Sequence, residues 1–420
     1  MVRSSEDRPV VEFDPQGTTF AADPLGAYRA LREKCPVAWS TDHGGFWIPT
    51  RYEDVFEISR DDARFSSARP EGAPENIITV PSQLGSRNVP IEMDPPEALA
   101  YRALLNPLLS PAAVERDLVP RVRVLAEGFV DRIVDRGSCD LIADIAGPVP
   151  AVLTLDWLGL PVHNWQEIAH AIHGIPGYAN GSPEHLQCME TLGQLHADVL
   201  ALIGQRREEP RDDITSYLIS KSVSDEPMSD QLVFEMVMLL IFGGIDTTTS
   251  LTGSALAWLD EHPEEKQRLL DEPKHLQLAT EEFLRYFSPV TALARMVTRP
   301  TEVAGQQLQA GERIMLPWLA ANHDPETFDE PGTVRLDRSP NRHMAFGVGI
   351  HRCSGSNLAR RGFQIMLTEV LRRIPDYRVD RDQAQRLPSQ GINGGWLTLP
   401  ATFTPRPRQG SPALDAMLAP

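Results

Sequence analysis

The segment 230–259 constrains the fold more than any other part of this 420-residue chain. Apolar residues recur along it at intervals of three and four, which reads as a single helix about thirty residues long. A helix this apolar needs an interior to hide in. Its longest strongly apolar run, 236–245, is ten residues, against roughly 20 needed to span a bilayer. The expectation is therefore a helix buried in a protein core, with no membrane anchor. A 41% hydrophobic composition is enough to build that core. The same periodicity marks 114–134, 185–206, 279–286 and 357–373, and strand-like pieces are fewer, at 45–49, 301–303, 313–316 and 396–403. The fold class read from this pattern is mainly α with small peripheral β-sheets. Segment 70–96, rich in Pro, Gly, Ser and Asn, reads as a long loop, and 174–183 reads as a break between two helices. The tail 405–420 is expected to be mobile.

A net charge of -18 argues against nucleic-acid binding, which needs a basic surface. Cys35, Cys139, Cys188 and Cys353 form no CxxC pair and follow no signal-peptide pattern. They read as free thiols in a reducing compartment, so a cytoplasmic location is expected.

Three local anomalies carry chemistry. Gly243 and Gly244 sit inside the long helix pattern, where each costs about 1 kcal/mol relative to Ala, and Asp246 and three threonines follow in the same apolar surroundings. A close helix crossing would explain them, and so would a helix thinned to admit a flat ligand, with Asp246 and Thr247 placed to move protons beside it. Glu282 and Arg285 are three apart on a helix, a spacing that lets them face each other and that taken alone reads as a common surface pair. Cys353 follows Phe346, Gly349 and His351 and precedes Gly355. It reads as a core thiol, a nucleophile, a zinc ligand or a haem ligand. Zinc wants further Cys or His at short spacing, and only His351 and His343 are near. A nucleophile needs a base that the local sequence does not identify. Haem needs one thiolate on a glycine-rich loop opening a helix, where backbone amides and the helix N-terminus favour the anion.

Taken together, these segments resemble the cytochrome P450 family, specifically its soluble bacterial members. "FGVGIHRCSG" is similar to the family's thiolate loop, "GGIDTT" to its long distal helix and "EEFLR" to its Glu-x-x-Arg helix, in the family's order. The likeness continues through "MDPPEALAYRALLNPLLSP" and "RLDRSPNRHMAFG", covering about 23–403. It implies one haem domain over 23–404, with an N-terminal extension 1–22. Haem b would lie between the distal helix and the Cys-bearing loop and helix.

The resemblance makes Cys353 the iron ligand, a thiolate that pushes electron density towards O–O cleavage. Phe346, Gly347, Gly355 and Gly243 would border the haem, and Arg102, Arg295 and His351 fall where the family binds the propionates. Glu282, Arg285 and Arg338 look like its buried ion network. Asp246 and Thr247 are the implied proton-delivering pair. Ile241, Val290, Thr291, Leu293, Ile392 and Asn393 are the expected substrate contacts. Two positions depart from the family: Ala98 stands where a propionate-binding His is common, and Ser354 where an apolar residue usually follows the cysteine. The Ser354 hydroxyl either contacts the sulfur or faces solvent.

The implied activity is a monooxygenase that inserts one atom of O2 into a hydrophobic small molecule, by hydroxylation or epoxidation. Electrons would come from a [2Fe–2S] ferredoxin and its NAD(P)H-dependent reductase. Arg352, Arg360 and Arg361 form a basic cluster on the cysteine side that suits an acidic donor. A haem-thiolate peroxygenase and a haem-based sensor are the rival readings.

Overall fold

The computed structural model describes residues 8–419 except Leu84 and Asn180. The other residues of the expected extension 1–22, of loop 70–96, of break 174–183 and of tail 405–420 fall within the description. The chain divides into two compact units, each assembled from discontinuous segments.

The first unit, residues 1–101, 281–353 and 388–394, is built on a six-stranded mixed sheet. Its order is Val10–Val11, Val37–Ser40, Phe46–Pro49, Arg313–Leu316, Leu293–Val297 and Phe65–Ser66. Period-two alternation sorts the side chains to two faces. Trp47, Ile314, Leu316 and Val297 pack in one buried cluster, and Phe46, Ile48, Met315 and Ala294 in another. The expected extension is part of this unit. Val10–Val11 pairs in parallel with Val37–Ser40, and Phe13 and Phe20 are buried in the second cluster. Residues 70–96 form no helix or strand among the described residues. They are nonetheless clipped in place: the buried Glu92 carboxylate accepts from Arg69, from the Asn88 amide N–H and from the Asn88 side chain.

The second unit, residues 102–280, 354–387 and 395–420, is helical. The long helix, Asp230–Glu261, packs against Pro148–Leu158, Trp165–Gly174, Pro183–Glu208 and Ser356–Arg373. Ser229 caps it by accepting from the Leu232 N–H at 3.2 Å. Its length and composition would suffice to cross a membrane, yet more than half of its most apolar stretch is buried inside the protein. Ser182 caps Pro183–Glu208 in the same way, so break 174–183 ends in a defined helix start. Residues 405–419, expected to be mobile, instead carry the helix Pro412–Met417, with Leu414 fully buried over Gly128 on helix Val119–Ile133. The Asp131 carboxylate of that helix accepts from the Gln409 and Gly410 N–H groups and from Arg373.

Candidate active site

In the first unit, the loop that carries Cys353 is closed by its own backbone. The Cys353 N–H donates to the Phe346 carbonyl at 2.8 Å and the Gly347 N–H to the Met344 carbonyl at 2.8 Å. Gly347 and Gly349 sit at φ values of 64° and 75°, where a side chain is strained. A Cβ at Gly349 would also lie 2.8 Å from the Ser59 carbonyl oxygen. The turn Gly349–His351 leads to Cys353, whose side chain is exposed. Among the described residues no three His, Cys, Asp or Glu side chains gather as a metal-ligand set, so a zinc site has no partners to recruit.

Arg295, on strand Leu293–Val297, is 3% exposed, and its guanidinium donates to one acceptor among the described residues, the Ala294 carbonyl at 2.9 Å. Burial pulls its pKa down to about 10, only partly opposed by the charge of Asp94. A buried cation in this position suits an arriving carboxylate.

Glu282 and Arg285 are fully buried. The Glu282 carboxylate accepts from Arg285 Nε and Nη2 at 2.8 Å each, Arg338 Nε at 2.9 Å, the Arg335 N–H at 2.8 Å and Asn341 Nδ2 at 3.1 Å. Arg285 Nη1 donates to the Asn322 and Pro331 carbonyls. This pair, which the sequence presents as one contact on a helix face, is a knot tying that helix to residues 322–341.

Val290 and Asn393 meet in an isolated β-bridge, and the Thr291 N–H donates to the Ile392 carbonyl at 2.8 Å. Leu293, which begins the neighbouring strand, is half-buried against the sheet. The first unit thus brings together five of the six expected substrate contacts.

In the second unit, Gly243 is exposed in mid-helix, and a Cβ there would meet open space. Gly244 is different: a Cβ would lie 2.7 Å from Thr154 Oγ1 on the crossing helix Pro148–Leu158. Gly244 thus sits at a close helix crossing, and Gly243 leaves its side of the helix bare. Ile241 does not share the open face. It is fully buried, and two residues along a helix point about 200° apart. Leu239 and Thr247, four residues either side of Gly243, occupy that face instead, and both are partly exposed. Thr247 Oγ1 donates to the Gly243 carbonyl at 3.0 Å. Asp246 is 2% exposed and ion-paired with His173 of helix Trp165–Gly174. His173, the partner of Asp246, is not among the residues that the sequence singled out.

Arg102 is half-buried on helix Glu97–Leu105, and Ala98 is fully buried. Gly355 and Ser354 are half-buried at the start of the cysteine helix, and the Ser354 hydroxyl makes no hydrogen bond among the described residues. Of the basic cluster, Arg352 is exposed, Arg360 is half-buried and donates to the Ser356 carbonyl, and Arg361 is ion-paired with Glu115.

Comparison with known proteins makes the class of this fold specific. The cytochrome P450 family model matches residues 183–402. The steroid C26-monooxygenase of Mycolicibacterium smegmatis is 34% identical over 383 residues, spanning 90% of this chain and 92% of the relative. The methyl-branched lipid omega-hydroxylase of Mycobacterium bovis is 31% identical over 396 residues, spanning 90% and 91%. Among solved structures, Mycobacterium marinum CYP268A2 in complex with pseudoionone superposes with a TM-score of 0.85 at 26% identity, covering 95% of this chain and 100% of that one. Bacillus megaterium CYP109E1 in complex with testosterone gives 0.82 at 28% identity, covering 92% and 100%. The chain belongs to the cytochrome P450 family. It is accordingly an oxidoreductase, a monooxygenase whose prosthetic group is haem b.

Proposed function

We propose that the protein hydroxylates a bulky apolar molecule of the steroid or branched-lipid kind, in the cytoplasm, with electrons from a [2Fe–2S] ferredoxin and its NAD(P)H-dependent reductase. The observation that carries this reading is the open stretch of the long helix, where Gly243 is bare and Thr247 stands one turn on, next to the buried Asp246. The substrate class rests on the relatives, one named for C26 of a steroid and the other for the omega position of a methyl-branched lipid. It fits the apolar Val290, Leu293 and Ile392 that the first unit brings together.

Cys353 would hold the haem iron, Arg295, His351 and Arg102 its propionates, and Phe346, Gly347 and Gly355 its proximal surroundings. Haem, when bound, supplies the activation of O2 and the transfer of one oxygen atom. The chain's own work is to bind, orient and deliver protons. Thr247, whose hydroxyl proton is committed to the Gly243 carbonyl, offers its lone pairs to a water on the open face. Asp246 is the acid that resupplies that water.

Two measurements test the reading. The ferrous carbonyl complex should show the red-shifted Soret band of thiolate ligation, and Cys353→Ala should lose it. Retention of that band would remove Cys353 as the ligand. Reduction by a ferredoxin should slow with added salt and in Arg352→Glu, while haem content and substrate binding hold. Arg361→Glu would also break the ion pair with Glu115.

A further inference from the structure

The buried Asp246 carboxylate is held by a residue of another helix. His173 Nδ1 is hydrogen-bonded to Asp246 Oδ1, and His173 Nε2 lies 2.8 Å from the Trp396 carbonyl oxygen. Both side chains are almost completely buried. A carbonyl only accepts, so Nε2 must carry a proton. Nδ1 therefore faces Asp246 across a gap that holds a single proton, on the imidazole or on the carboxyl. With Nε2–H committed to Trp396, the imidazole has one tautomer available when neutral, and that tautomer presents a bare Nδ1 to the acid.

We infer that His173 and Asp246 form a one-proton store, in which His173 is the positioning residue that fixes the orientation of the Asp246 carboxylate and shares its proton. This rests on the proposed role of Asp246 and Thr247 in proton delivery. In each delivery the pair loses one proton through the Asp246 carboxyl, His173 is left neutral with Nε2–H on Trp396, and solvent returns the proton. No electron moves within the pair.

On the helix that carries His173, His170 lies one turn away, and burial together with the charge of His173 pushes its pKa down. From helix Pro183–Glu208 the Cys188 thiol packs beside Gly174 and is kept neutral by burial, and the Tyr178 phenol is raised by burial. Helix Pro148–Leu158 presents the Thr154 hydroxyl to the long helix, and its Asp156 pairs outward with Arg121. The strand Trp396–Thr398 presents the Trp396 carbonyl, with Arg386 and Arg381 over the indole ring at 4.3 Å and 6.0 Å. Asp246 is thus the one carboxylate bonded to His173 among the described residues. Burial alone would depress the imidazole pKa, but Asp246 and the Trp396 carbonyl together raise it above its ordinary 6.5. The store is full below that raised value and empties as pH rises through it.

The test compares the holoenzyme with His173→Gln, Asp246→Asn, the double variant and Thr247→Ala, reading product formed per NADPH and product rate against pH. The expected parent profile falls on the alkaline side. His173→Gln should lose that limb from the neutral range and slow product formation roughly ten- to hundredfold, with spectral substrate affinity within about twofold. Because His173 acts through Asp246, the double variant should be no slower than Asp246→Asn alone. Additive losses, an unmoved alkaline limb or a change confined to substrate affinity would overturn the inference. Should His173→Gln fail to hold haem, an infrared pH titration of the unaltered resting holoprotein decides. Asp246 and His173 bands that titrate together support the store, and separate titrations overturn it. Thr247→Ala keeps the two readings apart. If it stays fully coupled, the proposed delivery role fails while the shared titration stands; if it uncouples and the His173→Gln limb does not move, only the store fails.

Discussion

Arg295 is a buried cation on strand Leu293–Val297. Its guanidinium is buried with a backbone carbonyl as acceptor, and a propionate would complete it. Replacing an uncompensated buried cation by an apolar side chain of similar size costs a protein little, whereas a lost charge-assisted hydrogen bond is worth about 1.5–3 kcal/mol. Arg295→Met is therefore expected to leave the apoprotein about as stable as the parent and to speed haem loss roughly tenfold or more, measured by haem transfer to apomyoglobin. At this scale the sequence discloses the chemistry unevenly. Cys353, Glu282 and Arg285 announce themselves because their partners are near in sequence or their loop is rich in glycine. His173 stays hidden because its carboxylate lies 73 residues away and its acceptor 223 residues away. On its own helix it reads as one more residue on a buried face.

The glycine pair of the long helix separates two demands on one element. At Gly243 a methyl group meets open space, and Ala is the better helix former by about 1 kcal/mol. At Gly244 the same methyl group runs into Thr154 Oγ1, and overpacking of this kind costs about 1–3 kcal/mol. Gly243→Ala should raise the denaturant midpoint and Gly244→Ala lower it, with Thr154→Ala restoring much of the second loss. Elements with one apolar face were readable: the expected helix 357–373 is Ser356–Arg373, and 230–259 is Asp230–Glu261. Helix Pro148–Leu158 was not, because nine of its eleven residues are buried and no period survives. The expected strand 396–403 breaks at Leu399, Trp396–Thr398 pairing with Gln385–Arg386 and Pro400–Thr402 with Ser138–Asp140. Which sheet a strand joins is decided by distant partners that local sequence does not name.

Across the whole molecule, one buried carboxylate fastens the segment that leads into the last helix. Burial would raise the pKa of Asp131, but the Gln409 and Gly410 N–H groups and Arg373 outweigh it and hold the carboxyl below the ordinary range. A depressed carboxyl contributes stability above its unfolded pKa of about 3.9 and loses it as pH falls through the lower folded value. Asp131→Asn should therefore be less stable than the parent at pH 7 and converge with it in strong acid, as followed by urea unfolding at each pH. The sheet carries a consequence of another kind. Phe46 pairs with Arg313, 267 residues further along the chain. At a synthesis rate of about 5–20 residues per second, that partner leaves the ribosome roughly 13–53 s after Phe46. Through that interval the nascent strands Val37–Ser40 and Phe46–Pro49 present an unpaired hydrophobic edge, a template for pairing with other chains. Overproduction of this protein should thus be limited by how well its first hundred residues are chaperoned while the rest is made.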